Sequence, residues 1–178
     1  MQMAIAYGGN PAAVSSSGLT VLHSIAYRND VHLFNLVESE LPSAIVNAQN
    51  DVGHTALHIA LSDEYSPLTM HLACHPGIDV DIQDIWGLTA LHLAIRNRRS
   101  DVAHALIQKG ASFKLVSLHG ENWLHLAVES GSVPITSMLM ERGANMISNV
   151  TEFGSIFSWA NCQGDSKTVA RFRQLVFE

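Results

Sequence analysis

The sequence predicts an all-α solenoid of stacked helix-turn-helix units, and two observations predict it. Four histidines, His23, His58, His92 and His125, lie 35, 34 and 33 residues apart. Each sits in the same phrase: GLTVLHSIA at 18–26, GHTALHIA at 53–60, GLTALHLA at 87–94 and GENWLHLA at 120–127. A phrase that recurs at a fixed period of this length marks a repeat architecture, in which no unit buries its apolar face alone.

Each position of the phrase has a physical task. Gly18, Gly53, Gly87 and Gly120 supply a turn conformation that residues with a Cβ tolerate poorly. Thr20, Thr55 and Thr89 can cap the first helix of each unit, whose leading N–H groups need an acceptor. Leu22, Leu57, Leu91 and Leu124 then point into the stack, and Ala60, Ala94 and Ala127 let neighbouring helices approach closely. The repeated histidines are expected to brace the turn of their own or the next unit.

The phrase and its period resemble the ankyrin repeat. Gly110-Ala111 and Gly143-Ala144 match that family's step after the second helix, and residues 47–50 and 81–84 stand where it approaches its hairpin. The resemblance implies an ankyrin-repeat solenoid with β-hairpin fingers, with repeats at about 15–49, 50–83, 84–116 and 117–149. A degenerate capping repeat follows at 150–178, where Phe153 stands for Gly and Ser158 for His. Lys167, Arg171 and Arg173 would give its second helix, around 166–177, a polar outer face. Residues 1–14 read as a remnant or abbreviated N-terminal cap, with Met3-Ala4-Ile5 matching Leu93-Ala94-Ile95.

Departures from the family pattern are local. Val21, Ala56, Ala90 and Trp123 replace a proline that would pre-organise the helix start. The first repeat runs two residues long into Leu41-Pro42, and Pro76 is a one-residue insertion in the second. Trp123, inside its repeat, is expected in the core.

Composition and motifs narrow the function classes. The chain is 47% hydrophobic and 15% charged, with a formal net charge of −6. Apolar runs stay well short of the roughly 18 residues of a spanning helix, and residues 1–14 carry no basic leader pattern. Cys74 and Cys162 lie in different repeats and read as free thiols in a reducing compartment. Asn149-Val150-Thr151 matches a glycosylation acceptor by chance. His71 and His75 stand one turn apart with Cys74 between them, but no nearby carboxylate completes a zinc set. No phosphate-cradling loop, nucleophile elbow or zinc-protease motif occurs. The expectation is a non-enzyme with no cofactor and no bound metal. Net negative charge also argues against nucleic acid, although Arg96, Arg98 and Arg99 form one basic cluster suited to an acidic partner peptide.

The resemblance implies two sets of partner-binding residues. The fingertips carry Asp51, His54, Ile85, Trp86, Leu88, Leu118, His119 and Glu121. The concave helix face carries Tyr27 and Arg28, Ser62 and Asp63, Arg96 and Asn97, then Glu129 and Ser130. Trp86 either anchors a partner or lies across the neighbouring finger and stiffens the array. The partner is expected to be a protein or peptide, without direct membrane insertion.

Within ankyrin proteins, HPGIDVDIQDIWGLT at 75–89 and GENWLHLAV at 120–128 resemble Rabankyrin-type endosomal scaffolds. That resemblance implies a cytoplasmic segment of a larger adaptor that works with Rab GTPases or trafficking factors and is recruited to endosomes through other domains. NDVGHTALH at 50–58 resembles the inhibitors of NF-κB, which implies binding to a transcription factor. Both readings stand at this level.

Overall fold

A computed structural model of the chain describes residues 14–63 and 65–141, together with Ala170. Within them the helices come in pairs. The first repeat holds α1 (Val21–Arg28) and α2 (Val31–Val37), then a 3-10 turn (Glu38–Glu40) and the short α3 (Ser43–Val46). The second holds α4 (Ala56–Leu61) and α5 (Leu68–Cys74), the third α6 (Ala90–Arg96) and α7 (Ser100–Gln108), and the fourth α8 (Trp123–Ser130) and α9 (Val133–Glu141). The first helix of each pair stacks on the next, α1 on α4, α4 on α6 and α6 on α8. The second helices do the same in a parallel row, α2 on α5, α5 on α7 and α7 on α9.

Burial explains the two rows. All six residues of α4 are buried, and α6 exposes only Arg96. A helix that is apolar nearly all round belongs between other elements. By contrast α7 is one-sided: Val102, Ala103, Leu106 and Ile107 face inward at helical spacing, while Asp101, His104 and Gln108 face out. Ala60, Ala94 and Ala127 are fully buried at the helix contacts. The apolar cluster runs unbroken from Val21 through Leu57, Leu91 and Leu106 to Leu139. Trp123 joins it, 7% exposed and edge-on to Phe113.

The first repeat absorbs its two extra residues after α2. There the chain tightens into the 3-10 turn, and Pro42 in extended conformation opens α3. Pro76 sits in the turn that closes α5 behind the extended His75. Between paired helices Asn29 and Arg98 take positive φ of 51° and 58°. Asn29 Oδ1 accepts from Ser66 Oγ at 2.8 Å and from the Leu68 amide at 3.3 Å, which ties the first repeat to the second. Asn97 Nδ2 donates to the Leu61 carbonyl and ties the third back to the second.

The fingers differ from the expected β-hairpins: among the described residues there is no β-strand. Each finger is instead a tight turn closed on itself. The cap at 150–178 and the remnant at 1–14 lie outside the described residues, apart from Val14 and the isolated Ala170.

Candidate partner-binding site

The finger turn is built by one residue acting twice. Ser15, Asn50, Asp84 and Ser117 each stand three positions before the turn glycine. The side-chain oxygen of each accepts from the amides two and four residues on. The pairs are Ser17 and Leu19, Val52 and His54, Trp86 and Leu88, and His119 and Glu121, at 2.9–3.3 Å. Short oxygen-bearing side chains favour such local bonds. Gly53 then takes φ +75°, and a Cβ there would lie 2.9 Å from Asp84 Cα, so the turn needs glycine for both conformation and room.

Successive fingers are laced together. The Asp51 amide donates to the Ser17 carbonyl at 3.3 Å, Ile85 to Val52 at 3.3 Å and Leu118 to Trp86 at 2.8 Å. Gln49 Nε2 bridges the Gly53 and Gln83 carbonyls, and Gln83 Nε2 repeats the bridge to Gly87 and Val116.

The repeated histidines fasten fingers to helices. Nδ1 of His23, His58 and His92 accepts from the amide of Thr20, Thr55 and Thr89 at 3.0–3.3 Å, which leaves the proton on Nε2. Nε2 of His23 donates to the His54 carbonyl at 2.9 Å, and that of His58 to the Leu88 carbonyl at 3.2 Å. Each histidine thus joins its own helix start to the next finger. His92 keeps the first half of this arrangement; its buried Nε2 closes no hydrogen bond, although the Leu115 carbonyl lies near enough to favour its proton. Burial holds all three imidazoles below the usual histidine pKa, outweighing the carbonyls that favour a proton.

This frame shapes a concave pocket of about 380 Å³ between the second, third and fourth fingers and the helices α4 and α6. Its wall includes His54, Trp86, Arg96, His119 and Glu121, with Leu88 and Leu93 as the apolar floor. The His54 ring stacks on His58 at 5.9 Å, faces Trp86 at 5.6 Å and brings Nε2 to 3.5 Å from Asp84 Oδ2. Asp84 is enclosed by these bonds, its side chain 1% exposed. Glu121 Oε2 is held by Ser117 Oγ at 3.2 Å. Arg96 is exposed and makes no ion pair among the described residues.

The two sets of expected partner residues therefore meet here in part. His54, Trp86, Leu88, His119 and Glu121 come from the fingers, and Arg96 from the helix face. Leu88 is a correction: at 8% exposure it is a buried floor residue, because its amide and carbonyl turn inward to Asp84 and His58. Asp51, Ile85 and Leu118 stay at the exposed fingertips outside the pocket. Tyr27, Arg28, Asp63 and Glu129 remain exposed at or just beyond the ends of their helices, whereas Asn97 is half-buried in its bond to Leu61. Asp84 and Ser117 were missed as wall residues. Their shared register, three before the turn glycine, is the signal that would have found them.

On the opposite side a shallow hollow of about 390 Å³ gathers Glu38, Ser39, His71, Cys74, His75 and Pro76. His71 and His75 lie edge-on to the buried Phe34, at 6.1 and 6.4 Å. Among the described residues no three His, Cys, Asp or Glu side chains are placed to hold a metal ion. None of the described helices is long and apolar enough to cross a membrane.

A sequence model described as ankyrin repeats in three copies matches residues 62–150, half of the chain. The chain belongs to the ankyrin-repeat family. Mouse Rabankyrin-5 is 31% identical over 110 residues, 61% of this chain and 9% of that protein. Human B-cell lymphoma 3 protein is 29% identical over 180 residues, 99% of the chain and 37% of that protein. Human NF-kappa-B inhibitor epsilon is 38% identical over 144 residues, 75% of the chain and 28% of that protein. The chain thus spans well under half the length of each of these ankyrin proteins.

Proposed function

We propose that this ankyrin array is a non-enzymatic interaction module that receives a protein segment in its concave groove, as part of a trafficking scaffold. The observation that carries the reading is the pocket. It sets an exposed aromatic face, Trp86 at 44% exposure, beside an exposed arginine on a frame fixed by backbone and histidine bonds. A partner meets a surface that is already ordered, so little binding energy is lost to rearrangement. Aromatic and arginine side chains are the types that dominate interface energies.

Likeness to Rabankyrin-5 over 110 residues supports the trafficking role, with a Rab GTPase or trafficking factor as partner and recruitment to endosomes through other domains. A second reading, a regulator of a transcription factor, is favoured by the higher identity to NF-kappa-B inhibitor epsilon over a longer stretch. Affinity capture with the wild-type chain and Trp86→Ala separates the two readings. Rab GTPases captured by the wild type and lost in the variant support the scaffold. Rel-type transcription factors in their place establish the second reading. Equal capture by both proteins removes the pocket from either.

A further inference from the structure

We infer that the array divides at its third junction: the helix pair α8–α9 opens as a unit of its own while the first three repeats hold together. The inference is independent of what the groove binds.

In a stacked-repeat protein each unit touches only its neighbours. Stability is then close to a sum of unit and junction contributions, and the array opens first where a junction is weakest. Apolar packing singles out no junction. The buried cluster passes from Leu57 and Ala60 through Leu91 and Ala94 to Leu126, Ala127 and Leu139. The polar ties do tell the junctions apart.

Two kinds of side-chain tie recur at the first two junctions. One is the histidine bond, from His23 to the His54 carbonyl and from His58 to the Leu88 carbonyl, each acceptor standing one residue after its turn glycine. Glu121 holds that register for His92, yet the buried Nε2 closes no hydrogen bond. The other tie joins the turns between paired helices. Asn29 Oδ1 accepts from the Ser66 hydroxyl and the Leu68 amide across the first junction, and Asn97 Nδ2 donates to the Leu61 carbonyl across the second. At the third junction Ser130 holds the register of Asn97, but its hydroxyl turns back to the Ala127 carbonyl of its own helix at 3.0 Å. Gly131 beside it takes φ +65° and has no side chain to offer. The fourth finger itself stays laced, through the Leu118 amide to Trp86 and through Gln83 to the Val116 carbonyl. Those bonds hold the finger and not the helices behind it.

The cost of opening differs accordingly. Separating the second repeat from the third breaks the His58 and Asn97 bonds. Moving α8–α9 away from the third repeat breaks neither counterpart and lets water reach the His92 Nε2–H, a donor left unpaired in the closed array. An unpaired buried donor disfavours the closed state. Two such bonds together change an opening constant by about thirtyfold.

Native-state hydrogen exchange on the full chain, read by mass spectrometry of peptic fragments in rising sub-denaturing urea, tests this. After correction for intrinsic rates, amides of α8 and α9 should exchange about thirtyfold faster than those of α4 and α6, with weaker dependence on urea. Those of α1 should stay as slow as α4. Asn97→Ala, confirmed as folded by circular dichroism, should weaken the second junction and bring α6 and α7 several-fold closer to the fast unit. Equal rates in α4, α6 and α8 overturn the inference. Exchange that quickens evenly toward both ends also overturns it, because fraying then accounts for the pattern without the missing bonds. So does an Asn97→Ala chain in which α6 and α7 stay as slow as in the wild type, since the turn ties would then not govern opening.

Discussion

At the finger bases the same chemistry recurs, whereas at the helix exits it changes with every repeat. Thr20, Thr55 and Thr89 meet His23, His58 and His92 at one Oγ–Nδ1 distance, 2.8 Å, three times over. Four positions beyond His23, His58, His92 and His125 stand Tyr27, Ser62, Arg96 and Glu129: an aromatic, a hydroxyl, a cation and an anion. The repeated bonds fix each helix start within its own repeat and have to fit the same geometry each time. Of the variable row Ser62 and Arg96 line the pocket, and Ser62 Oγ makes only a local bond, to the His58 carbonyl at 3.1 Å. Stability and the proposed recognition thus fall on different residues of one helix, a turn apart.

The sharpest way to break the frame is to fill a finger. Gly53→Val would force a β-branched side chain into positive φ and drive its Cβ into the Asp84 backbone. We expect a loss of about 3–4 kcal/mol, from left-handed strain and overpacking together. Urea unfolding followed by far-ultraviolet circular dichroism measures it. A loss below about 1 kcal/mol would mean that the fingers do not hold the stack together.

The histidines allow a finer comparison, because they are not equally bonded. His58→Leu removes the bond to the Leu88 carbonyl and leaves that buried acceptor open, for an expected loss of about 2 kcal/mol. His92→Leu removes no such bond, since Nε2 closes none to the next finger, and the expected loss is about 1 kcal/mol. Equal losses would show that the Thr–His pair, and not the tie to the next finger, is what stabilises the array. The same histidines fix the direction of the pH dependence. Burial lowers their pKa in the folded chain, so below about pH 6.5 the unfolded chain binds more protons. Stability is full above that pH and falls as pH drops from there toward the folded values. Thermal melts at about pH 7.5 and 5.5 should show a lower Tm in acid, with a smaller difference in His58→Leu.

These residues also show what the sequence makes legible. The frame could be read because its parts are close together: a glycine, a threonine two residues on and a histidine three further define a turn and a helix start by local chemistry. The sequence leaves open whether each histidine braces its own turn or the next; in the structure His23 and His58 do both, with Nε2 reaching a carbonyl about thirty residues on. The groove was harder. Leu88 looks like a tip residue beside Trp86, yet the turn rotates it inward while leaving its neighbour exposed. Asp84 has the register of a turn residue, and only the closure of three fingers round it makes it part of a pocket wall. Sequence names the exposed types along each repeat; curvature decides which of them share a cavity.

Trp86 is where frame and groove come closest, and its truncation is expected to cost no more stability than His92→Leu. The backbone of Trp86 belongs to the frame: its amide donates to Asp84, and its carbonyl accepts from Leu118 at 2.8 Å. Neither bond involves the side chain, so Trp86→Ala leaves both in place. The indole meets His54 at 5.6 Å with a tilt of 48° and is not among the buried residues of the core. Partial burial of that kind is worth about 1 kcal/mol once the compactness of the unfolded chain is allowed for. A loss near that value in urea unfolding leaves the ring free to act as an anchor for a partner. A loss of about 3 kcal/mol would place it with the glycines and histidines, as a brace between the second and third fingers. The groove would then depend on Arg96 and the imidazoles, with the indole fixing their spacing.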